Sequence, residues 1–470
     1  MANSLVAEDM DVVNCASMWR TDRSCSDMAA QTTDLTFSEK EAQSKYCTSS
    51  EVQTEVIQEQ SSSGADMTKL AAWLSKITPR VIEELDKSNK SRAFNEYKLQ
   101  ESVDSSTRHL FSLSMPQTEL QNDCFTSAID WSSTGGILAV SRCAKEHPSW
   151  CVHSGCVSLH RTNGQECKTE TPYRSLDVNA CVTALCAHPI ESFILACGTF
   201  SGEVTVWNLQ KDDPTLIGSI TLHSEAVVHM QWIQNFDMTD LRPVLASASR
   251  DGSVVIWTMK STSSTLKAAK CFLLQAEKQS IDYGIVCAKF NPSNPGLFVA
   301  GIEGGSVALC TSDSRRPCLR KRTSVGHELD YCDPVLNILE GHKGTVTGVQ
   351  WVPGSKDLFL SCGSDSELHV YSLAEVCLLR IIHLPEPSYG LQVISSHPSV
   401  ALTWGSSGAI HLHDVHTTKI LPLLDLDDGN AKVSLSTVSV RTISSQLLAL
   451  GTTDGKVSVW QVPHLKFNTS

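Results

Sequence analysis

Seven copies of one short strand signature constrain this 470-residue chain more than any other feature. The clearest copy is Asp251-Gly252-Ser253-Val254-Val255-Ile256-Trp257: a turn, then alternating apolar and small polar positions, then a closing aromatic. Related units occupy 155–160, 202–207, 252–257, 305–310, 366–371, 408–413 and 455–460, with starts 47, 50, 53, 61, 42 and 47 residues apart. Period-two alternation after a Gly turn is a hairpin-linked strand buried on at least one face. Recurrence at roughly 40–50 residues is the spacing of a propeller blade. The predicted fold is therefore all-β, a seven-bladed propeller over 107–465.

Each signature strand is preceded by two further apolar-alternating runs, clearest at 182–188 and 193–198, 227–232 and 244–249, 346–352 and 358–363, and 436–441 and 447–451. The remaining blades follow the pattern less cleanly, at 128–131 and 137–140, 286–290 and 297–301, and 391–395 and 401–404. Only ten residues follow Trp460, too few for a comfortable outer strand and turn. The run from His109 to Met115 alternates correctly and can supply that strand, which would remove the open sheet edges and join the ends of the ring.

Upstream, the composition changes twice. Residues 1–66 hold 12 acidic and 4 basic side chains, so −8 of the net −13 lies there. Ser, Thr, Gln and acids dominate 1–65, and Ser61-Ser62-Ser63-Gly64 is linker-like, so a disordered tail is expected. Two pieces within it, around Gln31-Thr32 and Val52-Gln53-Thr54, suit strand addition along an exposed sheet edge, with a plain solvated linker as the bland alternative. Over 66–90, Leu70, Leu74, Ile77, Val81 and Leu85 recur at steps of four, three, four and four, which predicts an amphipathic helix capped by Asp66 and widened by Trp73. Pro79 predicts a kink, or two short helices with Thr78 as the second cap. Residues 91–106 read as a linker. The stripe either packs on the chain's own propeller or docks a partner.

The acidic balance argues against nucleic acid, which needs a cationic face. No apolar run approaches the ~20 residues of a membrane-spanning helix, so no membrane insertion is expected. The first residues lack the basic and apolar regions of a secretory signal. The 18 cysteines are scattered, several of them inside strands (Cys186, Cys197, Cys287, Cys362), as in a reduced cytosolic protein.

No catalytic arrangement, phosphate loop or nucleophile elbow emerges, and no cofactor is expected. Cys151, His153, Cys156 and His160 invite a zinc reading, but Cys-x-His-x2-Cys-x3-His is not a usual paired-ligand spacing, and no metal site is expected from them. Arg315, Arg316, Arg320, Lys321 and Arg322 form a basic cluster assigned to the fourth-to-fifth blade connection. A solvated loop is the plain reading, and docking of an acidic partner or a nuclear signal the sharper one.

Seven such units resemble the WD-repeat family, in which a His, a strand Ser, a turn Asp and a strand Trp stiffen a blade. His223, Ser247, Asp251 and Trp257 match those positions, as do His342, Ser361, Asp365 and Tyr371, with Tyr for Trp. Other blades have lost parts of the set; the Trp-Asp dipeptide itself is absent, Trp207-Asn208 being nearest. With Val52-Gln53-Thr54-Glu55, Leu70-Ala71-Ala72-Trp73-Leu74, Val81-Ile82-Glu83-Glu84-Leu85 and the terminal Gly455-Lys456-Val457-Ser458-Val459-Trp460-Gln461, nearly the whole chain resembles the dynein intermediate chains, most of all those of the dynein-2 motor of retrograde intraflagellar transport.

That resemblance implies a non-catalytic subunit whose propeller grips a dynein-2 heavy chain. It implies that Gln31, Thr32, Val52, Gln53 and Thr54 bind the eight-kilodalton light chain, and that the Leu70–Leu85 stripe binds a roadblock-type light chain. A Tctex-type light chain, a second WD-repeat intermediate chain and intraflagellar transport particles are further implied partners, in cytoplasm, cilium (axoneme and basal body) and cytoskeleton. The first motif lacks a β-branched residue before Gln31, a departure from the pattern. The alternative sharing the fold is a substrate receptor or scaffold for a cullin ubiquitin ligase. Receptors of that kind carry an Arg shortly after a blade's Trp-Asp position; Trp207-Asn208-Leu209-Gln210, Trp257-Thr258-Met259-Lys260 and Trp460-Gln461-Val462-Pro463 lack it.

Overall fold

The computed structural model describes residues 67–90, 107–113, 124–147, 151–162, 171–211, 213–235, 242–260, 265–275, 282–318, 323–324, 327–328, 330–394, 397–416, 420–421, 433–441 and 447–462. The chain divides into two compact units, Met1–Tyr97 and Lys98–Ser470. Among the described residues no helix is long and apolar enough to cross a membrane.

In the first unit, Met67–Lys90 is one helix with Pro79 inside it. The two-helix reading, with Thr78 as a cap, is thereby corrected. Proline at position 79 removes the amide that would have bonded the Ser75 carbonyl, and Ser75 is exposed, so water can take that place. The Thr78 hydroxyl does not cap a new helix; it donates back to the Leu74 carbonyl at 2.7 Å.

The second unit is a seven-bladed β-propeller. Blade one comprises Cys124–Trp131, Ile137–Ala144, Gly155–Arg161 and Arg174–Val178, and blade two Val182–Ala187, Ile194–Thr199, Glu203–Asn208 and Thr215–Thr221. Blade three comprises Val227–Ile233, Val244–Ser249, Ser253–Lys260 and Thr265–Leu273, and blade four Ile285–Phe290, Leu297–Ile302, Val307–Thr311 and Val335–Leu339. Blade five holds Val346–Trp351, Leu358–Gly363, Glu367–Ser372 and Cys377–His383, and blade six Ser388–Ile394, His397–Gly405, Ile410–Asp414 and Ile420–Leu421. Blade seven takes Leu435–Arg441, Leu447–Thr452 and Val457–Gln461 from the end of the chain and its outer strand, Arg108–Leu113, from before blade one. That outer strand pairs antiparallel with the last one, Leu113 opposite Val457 and His109 opposite Trp460. Distant segments thus close the ring and leave no first-to-last gap.

The first strands of successive blades pack side by side, and that of blade seven returns to that of blade one, so they form the inner wall. Alternation explains why each blade needs two neighbours. In the third strand of blade three, Val254 and Ile256 enter the core shared with blade four, while Val255 and Trp257 enter the core shared with blade two. Each of the seven junctions has its own apolar cluster of this kind. A single blade would leave both faces wet; the ring buries both. Polar side chains on the inner strands set the register between neighbours. The Asp130 carboxylate accepts the Ala187 amide of blade two at 2.7 Å, and the Gln231 carbonyl accepts the Phe290 amide of blade four at 2.9 Å.

The turn before the signature strand explains its glycine. Gly252 has φ +82°, and the corresponding Ser366 of blade five has φ +61°; both carbonyls accept an amide from the end of the outer strand's run, Leu274 at 3.0 Å and Leu384 at 2.8 Å. Left-handed backbone disfavours a residue with a Cβ by about 1–2 kcal/mol. Glycine also raises unfolded-chain entropy, which offsets part of that gain. Ser366→Gly is therefore expected to stabilise the ring by about 0.5–1 kcal/mol, read as a higher unfolding midpoint in urea. A lower midpoint would mean that the serine side chain contributes more than its backbone costs.

The basic cluster lies elsewhere than expected. Arg315 and Arg316 sit between the third and outer strands of blade four, not between blades four and five; Arg320, Lys321 and Arg322 fall outside the described residues. The insertion sends Tyr331–Cys332 back to blade three, where it adds a fifth strand parallel to Thr265–Leu273. The Arg316 guanidinium donates to the Val335 carbonyl. This segment covers a sheet edge that would otherwise be open.

Candidate functional site

The eight blade residues singled out from the sequence assemble as two groups. In blade three, Trp257 is fully buried and its indole N–H donates to Ser247 Oγ at 2.8 Å. Ser247 lies 2.7 Å from His223 Nε2, and His223 Nδ1 lies 2.6 Å from Ser253 Oγ, whose hydroxyl donates to Asp251 at 2.5 Å. One direction of donation satisfies every member: indole to Ser247, Ser247 to Nε2, Nδ1–H to Ser253, and Ser253 to the carboxylate. The ring nitrogen and the carboxylate are 3.9 Å apart, so Ser253 is the link between them. Sequence reasoning missed Ser253, although its place directly after the Asp-Gly turn was the available signal.

Asp251 also accepts the amides of Ser224 at 2.7 Å and Ser253 at 2.9 Å. Burial pushes its carboxyl up, but the His223 ring, the Ser253 hydroxyl and the Ser224 amide outweigh that and hold it well below the usual carboxylate range.

Blade five is wired differently. His342 Nδ1 donates directly to Asp365 at 2.9 Å, and Ser361 lies 2.7 Å from Nε2. Tyr371 stands 3.4 Å from Ser361 and gives its hydroxyl proton to the Glu340 carbonyl at 2.8 Å. His369 stacks on His342 with centroids 3.9 Å apart. Burial, and then His369, lower the basicity of His342 against the pull of Asp365. Asp365 itself is raised by burial and lowered, on balance, by His342 and the Lys343 and Glu367 amides. His342, Asp365 and His369 lie close enough to hold an ion. Their atoms already bond one another and Ser361, Tyr371 and Glu367, so the cluster is accounted for by blade stiffening.

The helix offers a different kind of surface. Leu70, Leu74, Val81 and Leu85 are exposed, as are Trp73 and Ile82, and Ile77 is half-buried. Lys87 pairs with Glu83 and Glu84 at 2.9 and 3.1 Å. The helix thus leaves a contiguous apolar stripe uncovered. On the ring, Leu216, Leu336, Ile338, Leu379 and Ile381 are exposed on outer strands of blades two, four and five. Gln31, Thr32, Val52, Gln53 and Thr54 lie outside the described residues.

The four residues considered for zinc do not form one group. Cys156 and His160 lie along the third strand of blade one, Cys156 exposed and His160 buried with neither ring nitrogen bonded. Burial holds His160 down at about 4. Cys151 and His153 instead meet His147 and Cys181.

The WD domain, G-beta repeat family matches residues 214–258 and 334–372, the stretches that contain the two bonded groups. Over nearly its full length the chain is similar to cytoplasmic dynein 2 intermediate chain 2 of Mus musculus, 26% identical with 97% of this chain and 88% of that protein covered. The Homo sapiens protein of that name is 25% identical over 84% of this chain and 76% of its own length. The flagellar outer-arm 70 kDa dynein intermediate chain of Chlamydomonas reinhardtii is 23% identical over 57% of this chain and 44% of its own. Seven interlocked blades, two bonded groups within the matched repeats and similarity that runs over nearly the whole length make this chain a WD-repeat propeller protein similar to the dynein intermediate chains.

Proposed function

We propose that this chain is the non-catalytic intermediate chain of a cytoplasmic dynein-2 motor, serving retrograde intraflagellar transport and cilium assembly. The observation that carries the reading is the coverage of its dynein 2 relative, 97% of this chain and 88% of that protein, because it includes tail, helix and ring together. The propeller is the rigid part and binds the heavy chain. The tail around Gln31-Thr32 and Val52-Gln53-Thr54 binds a dimeric eight-kilodalton light chain by strand addition. The exposed helix stripe receives a roadblock-type light chain, and a Tctex-type chain and a second WD-repeat intermediate chain complete the set. Dimeric light chains gripping two tails raise the effective concentration of every further contact. The protein works in the cytoplasm and the cilium on this reading, at the axoneme and basal body.

The test is affinity purification of the full chain from ciliated cells. Heavy chain and light chains are expected with the unaltered protein. Leu74→Asp with Val81→Asp, which places two charges in the apolar stripe, should remove the roadblock-type chain and leave heavy-chain recovery in place. Gln53→Ala with Thr54→Ala should remove the eight-kilodalton chain alone. Recovery of a cullin adaptor without any dynein subunit would replace this reading with the ubiquitin-ligase alternative.

A further inference from the structure

The geometry points to a structural zinc site in blade one, formed by His147, Cys151, His153 and Cys181. One donor atom from each residue lies within 4.8 Å of every other. A tetrahedral zinc ion with sulfur at about 2.3 Å and nitrogen at about 2.0–2.1 Å sets its donors about 3.4–3.8 Å apart. Cys151 Sγ and His153 Nδ1, at 3.7 Å, already stand at that separation. The remaining edges need a contraction of about 1.4 Å at most, which side-chain rotation can supply.

Three further observations favour an ion over chance proximity. His147 Nε2 is buried and has no hydrogen-bond partner. Such an atom costs free energy unless something binds it. The His147 ring is held in place by stacking on Phe200, with centroids 4.1 Å apart and planes 16° apart, and by the edge of His153 at 5.1 Å. Cys151 Sγ accepts the Cys181 amide at 3.3 Å, the second bond that orients a metal thiolate. A small apolar shell of Cys143, Ala144, Phe125 and Phe200 surrounds the group. Two sulfurs and two imidazoles select zinc over magnesium or calcium, and four protein donors leave no open position, so the site is structural.

The topology says what the ion would do. His147, Cys151 and His153 belong to the loop between Ile137–Ala144 and Gly155–Arg161, and Cys181 to the connection from Arg174–Val178 into Val182–Ala187. Strands alternate in direction, so these two loops open on the same side of the ring. The ion clasps the long loop of blade one to the entry of blade two and fixes the loop that presents Val152, which is 73% exposed. The seven apolar junctions do not depend on it.

The full chain, purified without chelator, is expected to carry about one zinc per molecule by elemental mass spectrometry. Cobalt exchanged into it should show the intense visible bands of a tetrahedral sulfur-ligated ion. Cys151→Ser and Cys181→Ser should each abolish both signals, and Cys156→Ser, an exposed thiol outside the group, should keep them. As a check independent of those variants, chelation of the unaltered protein should speed hydrogen exchange in 145–154 and leave the blade strands unchanged. Metal-free protein that takes up no cobalt would overturn the site. So would a disulfide joining Cys181 to Cys151 or Cys143 in that protein.

Discussion

Asp251→Ala is expected to destabilise the propeller by about 3–5 kcal/mol, the range for removing one member of a buried, fully bonded group. The carboxylate is 6% exposed as a residue and receives the Ser224 amide and the Ser253 amide and hydroxyl. Alanine leaves those donors without an acceptor, in a place that water reaches poorly. It also releases the end of the chain that holds His223 against Ser247 and Trp257. Asp365→Ala in blade five should cost less, about 1–2 kcal/mol, because that carboxylate is nearer to solvent and water can replace it. Urea midpoints of the two variants, or unfolding rates if unfolding is irreversible, measure the difference. Equal losses would mean that the depth of the blade-three group adds nothing.

The same group sets a pH dependence. The folded Asp251 pKa lies below its unfolded value, so the unfolded chain binds the proton more readily. Stability from this group is complete above about pH 4, the unfolded carboxylate range, and is lost as pH falls below that toward the folded value. The unaltered protein should therefore lose more stability than Asp251→Ala on acidification from neutral pH to below 4. Parallel losses would show that Asp251 does not carry the effect.

Gly252→Ala is expected to cost about 2–4 kcal/mol, from two separable causes. With φ at +82°, any Cβ meets the left-handed penalty. In addition, that Cβ would stand 2.5 Å from the Tyr283 carbonyl oxygen, a backbone atom of the following segment that cannot swing aside. Gly304 isolates the first cause: its φ is +89°, and an added Cβ would meet nothing within 4 Å. Gly304→Ala should then lose only about 1–2 kcal/mol. Equal losses at the two positions, by thermal or urea unfolding, would remove the Tyr283 contact from the explanation.

Period-two alternation with a turn glycine every 40–60 residues is a local pattern, and so the blade count and the strand faces are legible in the residues alone. The ring closure by Arg108–Leu113 is legible for the same reason, since an unpaired alternating run and an incomplete last blade imply each other. Members of the bonded groups are legible as residue types at family positions. Their wiring is not. Blade three routes His223 to Asp251 through Ser253, whereas His342 reaches Asp365 directly, and a difference of about 1 Å in ring placement is invisible in residue spacing. Helix periodicity predicts the stripe, but one helix runs through Pro79, where a kink or two short helices are expected.

The sequence by itself therefore determined the seven units, the alternation that sends each strand's side chains into two neighbouring junctions, and the amphipathic stripe ahead of them. Tertiary structure alone decided which distant loops meet. It brought Cys181 to Cys151 and His153, 30 and 28 positions away, in place of the nearby Cys156 and His160. It also returned Tyr331–Cys332 to the edge of blade three. The physical reason is the same in both cases. Local order comes from periodic burial along one strand, whereas contacts between loops depend on how closed sheets stack around a ring, which no short window of residues encodes.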